Sequence, residues 1–128
     1  MTYSLPKPWQ DEPTDARFIL NDFQCAILRS RDAHLCGYVA LPRGHRDFGR
    51  HYDIIKANVH GGLTYSEHEL AEESNPDLWW IGFDCAHYGD YAVRTDDFAS
   101  DKTDRYRTFG YVFAQLQSLT RQLQETTP

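Results

Sequence analysis

The order of patterns along this chain predicts an α+β fold, a mostly antiparallel sheet with one long C-terminal amphipathic helix packed on one face. Three observations carry that prediction. Short apolar runs separated by turn residues fill the N-terminal and central parts of the chain. The run from Leu78 to Cys85 alternates, with Trp79, Ile81 and Phe83 on one face and Trp80, Gly82 and Asp84 on the other. Near the C-terminus, Phe109, Val112, Phe113, Leu116, Leu119 and Leu123 recur at three- and four-residue spacing, which draws one apolar stripe along a helix. At 128 residues the chain makes a single domain, 1–128, large enough to bury a core.

Each element follows from local composition. Residues 1–16 are rich in proline and acid and read as an irregular arm. Phe18 to Leu20 begin a short strand. Phe23 to Arg29 and Leu35 to Leu41 read as two strands of a hairpin, turned at Ser30-Arg31-Asp32-Ala33. Cys25 and Cys36 are then expected near each other across it, as small apolar fillers. Pro42 to Gly49 reads as a loop and 50–56 as a helical turn. Ala57 to His60 reads as a strand ending at Gly61-Gly62, and Leu63 to Ser66 as resumed extended chain. Glu67 to Asp77, polar and acidic with Pro76, reads as a surface loop. Leu78 to Cys85 is the strongest strand, and its Trp79, Ile81 and Phe83 face is expected under the helix. Residues 86–102 read as a long loop. The helix is expected from Asp104 to Gln124, with Thr103 as N-cap and Asp104 near the positive helix end.

Composition excludes several function classes. The formal net charge of -6 argues against duplex nucleic acid, which is bound through phosphate neutralisation by Lys and Arg. One small phosphorylated ligand stays compatible with it. No apolar run reaches the roughly 18 residues that a membrane span needs. The N-terminus lacks a basic segment followed by an apolar one, so a cytoplasmic location is expected. Three cysteines do not suggest a disulfide framework.

Two segments concentrate chemistry: His60-Gly61-Gly62-Leu63-Thr64-Tyr65, and Trp79 to Asp90, which reads WWIGFDCAHYGD. Each crowds glycine, histidine and aromatic residues together, and the second adds carboxylates and a thiol. Consecutive glycines reach positive φ and present successive amides to an anion. Asp84 and His87 with His60 would make a three-ligand metal site, or Asp84 would orient His87. Cys85 with His87 would make a thiolate–imidazole pair, although Cys85 falls on the helix-packed face, where a thiol is inert. His60 with His87 would serve as general acid and base for phosphodiester cleavage. Against these stand plainer readings: a tight turn at the glycines, and loop caps at Asp84 and Asp90. No Cys-x-x-Cys or His-Glu-x-x-His occurs, so neither a metal nor another cofactor is called for. Arg43, His45, Arg46, Arg50 and His51 form the local basic cluster, set against Asp47 and Asp53.

These residues resemble a family of small, largely uncharacterised proteins of tailed phages and prophages. The likeness runs over roughly residues 24–125. It begins at Cys25 and His34-Leu35-Cys36-Gly37-Tyr38-Val39, continues through Gly44-His45, Gly49 and His60 to Tyr65, and is sharpest from Trp79 to His87 with Gly89-Asp90. Tyr106-Arg107 and Tyr111-Val112 complete it. Arg46 stands where the family pattern has proline. The resemblance implies an accessory protein of the host bacterial cytoplasm, and by context one that counters host defence.

Together these readings predict a module that binds and sequesters a small phosphorylated nucleotide immune signal. Arg43, His45, Gly61 and Gly62 would hold phosphate. Tyr65, Trp80 or Tyr88 would stack the base, and Asp84 or Asp90 would take ribose hydroxyls, with His60, Thr64 and His87 lining the pocket. The alternatives are a nucleotide hydrolase using His60 and His87, with or without a metal at Asp84, and a protein-binding inhibitor. The helix stripe is core or a homo-oligomer face.

Overall fold

The structure, a computed structural model, describes residues 15–29, 34–84 and 109–125. Five strands form one antiparallel sheet: β1 (Asp15–Leu20), β2 (Phe23–Arg29), β3 (Leu35–Pro42), β4 (Tyr65–Glu67) and β7 (Leu78–Asp84). Their order is β1-β2-β3-β7-β4, and a small hairpin, β5 (Glu69–Leu70) with β6 (Glu73–Ser74), is appended. One helix, α1 (Phe109–Glu125), packs against β2 and β3. The α+β prediction therefore holds. No helix among the described residues is long and apolar enough to cross a membrane.

β1 and β2 are joined by Asn21-Asp22, a two-residue turn with Leu20 paired to Phe23. Both turn residues have positive φ, 50° and 71°, as a hairpin whose twist matches its strands requires. Asp15 and Ala16, expected in the arm, belong to β1. The Asn21 side chain donates to Thr120 Oγ1 at 2.9 Å, and Gln124 Nε2 donates to the Asn21 carbonyl at 3.0 Å. The turn is thereby tied to α1.

The core lies between the sheet and α1. Val112, Leu116 and Leu119 are fully buried and Leu123 nearly so, against Ile27, Val39, Leu41, Ile81 and Phe83. Burying each such side chain contributes about 1.5–3 kcal/mol. Thr120 shares the stripe because its hydroxyl donates to the Leu116 carbonyl at 2.8 Å and accepts from Asn21. The Ile81 and Phe83 face lies under the helix as expected. A smaller cluster of Ala26, Ala40, Leu70 and Trp80 fills the other face, joined by Tyr38 and Tyr65.

Glycines let aromatic rings cross the sheet. Gly82 on β7 pairs with Tyr38 on β3 and Tyr65 on β4, and the two rings meet edge-to-face at 5.3 Å. On the helix side the Phe83 ring covers Gly37 in the same way.

Three expectations need correction. Ala57 to His60 is not a strand. The Asn58 N–H donates to Gln122 Oε1 at 2.7 Å, Gln122 Nε2 donates to the Asn58 carbonyl at 3.0 Å, and the His60 N–H donates to Gln115 Oε1 at 2.8 Å. Helix glutamines thus satisfy a backbone that a neighbouring strand would otherwise pair. Glu67 to Asp77 is not a plain loop: it holds the end of β4 and the β5–β6 hairpin, whose Leu70 is buried over Trp80. Cys25 and Cys36 do not approach across their hairpin. Cys25 pairs with Val39 and Cys36 with Leu28, and the alternation puts them on opposite faces. Both are buried free thiols. The 3-10 turn at Tyr52–Ile54 matches the expected helical turn. The Ser30–Ala33 turn, the 86–102 loop and the helix start at 103–108 lie outside the described residues.

Candidate functional site

Pairing of β4 with β7 brings the two motif segments together. Tyr65 pairs with Gly82. Just before β4, the Thr64 N–H donates to the Gly82 carbonyl at 2.8 Å. Its hydroxyl donates to Asp84 Oδ2 at 3.2 Å. The glycine-rich turn and the start of the aspartate-bearing loop therefore share one end of the sheet.

His60-Gly61-Gly62 is a tight turn. The Gly62 N–H donates to the Val59 carbonyl at 3.0 Å, and Gly61 and Gly62 have φ of 68° and 82°, the left-handed region that glycine adopts without steric cost. The expected anion cradle of two amides is corrected accordingly, because the Gly62 amide closes the turn. His60 leans on the helix: Nδ1 is 2.9 Å from the Tyr111 hydroxyl, with the rings edge-to-face at 5.4 Å. Asp84 lies on the other face, by alternation with Trp80 and Gly82. Imidazole and carboxylate thus flank the same sheet end from opposite faces.

Asp84 pairs with Cys36 across the β3–β7 ladder. Tyr38, Tyr65 and Asp84 are half-buried here. Burial pushes the Cys36 thiol up to about 11; a hydrogen bond with Tyr38 opposes the rise and the Asp84 charge adds to it. Burial also raises the Tyr38 phenol, helped by Cys36, Tyr65 and Asp84. Tyr65, raised by burial and by Glu67 and Glu69, donates its hydroxyl to the Glu69 carbonyl. This end of the sheet therefore offers a carboxylate, a threonine hydroxyl, two neutral phenols and aromatic edges. Such groups hold sugar hydroxyls and planar rings. Tyr38, Cys36, Tyr111 and Gln115 were not among the expected site residues. The Cys36-x-Tyr38 alternation was a usable signal once β3 was placed beside β7.

Arg43 and His45 do not join this site. The ladder from Pro42–Leu78 to Cys36–Asp84 puts them at the opposite end of the sheet, about 20 Å away. Arg43 Nε donates to Asp77 Oδ1 at 2.6 Å. His45 is buried and structural. Its Nδ1 accepts from the Asp47 N–H at 3.0 Å, so Nε2 carries the proton and donates to the Leu123 carbonyl at 2.9 Å. That carbonyl lies in the last turn of α1. Trp80, expected to stack a base, is 5% exposed and packs in the small core with Leu70. His87, Tyr88 and Asp90, with Cys85, lie outside the described residues. Among the described residues, no three His, Cys, Asp or Glu side chains gather as a metal site.

No protein-family model, curated protein or solved structure matches this chain.

Proposed function

We propose that the protein binds and sequesters a small phosphorylated nucleotide of the kind that signals host defence, at the sheet end where Thr64 meets Asp84. The observation that carries this reading is the Thr64–Asp84 hydrogen bond, which joins the two motif segments beside a tyrosine pair. Asp84 accepts hydrogen bonds from ribose hydroxyls, and Tyr65 with Tyr38 offers aromatic edges to the base. Retention suits this geometry better than turnover, since His60 leans on α1 while Asp84 lies on the other face of the sheet. The phage resemblance of the two motifs agrees with an anti-defence role.

The test is incubation with cyclic dinucleotides, followed by heat release and chromatography. Sequestration returns intact ligand and raises the melting temperature. Altered product supports the hydrolase that pairs His60 with His87. No thermal shift with any nucleotide defeats both and favours the protein-binding inhibitor.

A further inference from the structure

The basic loop does not reach Thr64 and Asp84, yet the fold gives it other company. Residues from three separate segments line up at the opposite end of the sheet. The Arg43 guanidinium carbon is 5.5 Å from the centre of the Phe48 ring. Phe48 is 5.7 Å from the His68 ring, and His68 stands edge-on to Trp79 at 4.7 Å. Trp79 donates its indole N–H to the Arg50 carbonyl at 2.7 Å, which pins the basic loop beside the row. His68 is fixed as well: a carbonyl only accepts, so Nδ1 carries the proton and donates to Leu78 at 2.9 Å. Its Nε2 is then the lone-pair nitrogen.

We propose that this row is a second ligand site, for a planar group bearing a phosphate, the nucleoside monophosphate class. Phe48, His68 and Trp79 are half-buried, so each ring is braced from below and keeps surface for a base. Guanidiniums grip phosphate through paired N–H donors, which a lysine would not supply. Arg43 already holds a carboxylate through Nε, but its pair with Asp77 is exposed on both sides, 63% and 72%. A doubly charged phosphate competes well for such a solvated contact. Arg50 touches the buried Asp47 at 3.7 Å through one terminal nitrogen. Arg43 and Arg50 thus stand on either side of Phe48 in the chain, with guanidiniums that meet carboxylates at the Asp77 and Asp47 pairs. The site stands apart from Thr64 and Asp84 by the length of β7, so it does not rest on the reading above.

The intact protein is titrated with AMP, with adenosine and inorganic phosphate as separate arms, by tryptophan fluorescence and amide chemical shifts. The expected result is saturable AMP binding with shifts at Phe48, His68 and Trp79. Adenosine or phosphate alone binds about tenfold more weakly or worse, because each keeps only part of the contact. Arg43→Gln or Arg50→Gln, both at exposed side chains, weakens AMP by a similar factor. Arg121→Gln, the same charge loss on the exposed surface of α1, leaves it unchanged. Absence of saturation in the millimolar range overturns the proposal. So does unchanged affinity in both arginine variants, or shifts confined to Thr64, Tyr65 and Asp84.

Discussion

Replacing Gly82 with alanine tests the central packing device of the sheet. A Cβ at this position would sit 2.4 Å from Tyr38 Cδ1, 2.8 Å from Tyr38 Cε1 and 2.7 Å from the Gly37 carbonyl oxygen. The first two contacts are relieved only by swinging the Tyr38 ring away from Tyr65. The third is backbone within the β3–β7 ladder and has little room to move. Overpacking of this kind costs about 1–3 kcal/mol, and loss of the edge-to-face tyrosine contact adds about 0.5–1.5 kcal/mol. Removing a glycine from a strand interior returns about 0.5–1 kcal/mol. The expected net loss is about 2–3 kcal/mol, read as a fall of about 1 M in the urea midpoint at unchanged slope. Gly44→Ala, with nothing within 4 Å of the new methyl, is the control and stays within about 0.5 kcal/mol. A Gly82→Ala protein as stable as the parent would refute the reasoning, because the tyrosine pair would then not depend on the missing side chain.

Three further outcomes follow from the same packing. Asp22→Gly should stabilise the protein by about 0.5–1 kcal/mol in urea, since Asp22 holds a φ that glycine reaches more readily; a loss would mean that the carboxylate has a role of its own. His45→Ala should cost about 2–3 kcal/mol by removing donor and acceptor together from a buried site; unchanged stability would return His45 to the list of ligand residues. Stability should also fall at alkaline pH. Burial lifts Cys25 to about 12 and Cys36 to about 11 from 9.0. The folded state thus keeps protons that the unfolded chain releases above pH 9. Their contribution is complete below that pH and is lost as pH rises toward 11–12. Between pH 8 and 10 the two thiols together account for about 3 kcal/mol. A Cys25→Ala, Cys36→Ala protein should show a shallower drop, and an equally steep one would assign the effect elsewhere.

Much of the fold was legible because hydrophobic period is a local property. The alternation in β7 told which face meets the helix, and the stripe from Val112 to Leu123 told which residues of α1 do. The Asn21-Asp22 hairpin was missed although its turn residues are of the right kind; neither is glycine, and Asn21 is tied to Thr120 and Gln124 from far along the chain. Ala57 to His60 carried strand-like residues but no record of where its backbone hydrogen bonds would go. Glutamines of α1 take them. Of the candidate site, sequence singled out the two motifs that meet, because Thr64 just precedes β4 and Asp84 ends its neighbour β7. It misplaced Arg43 and His45, since closeness in sequence to His60 says nothing about which end of an antiparallel ladder a loop occupies. It also misread Trp80, whose burial depends on Leu70 from a two-residue strand that no periodicity announces.

Amide chemical-shift mapping with a cyclic dinucleotide tests the central claim most directly. The account predicts saturable shifts concentrated at Thr64, Tyr65, Gly82 and Asp84, abolished by Asp84→Asn and preserved in Arg121→Gln. Saturable shifts that bypass β4 and the end of β7, or an unchanged titration in Asp84→Asn, would contradict it.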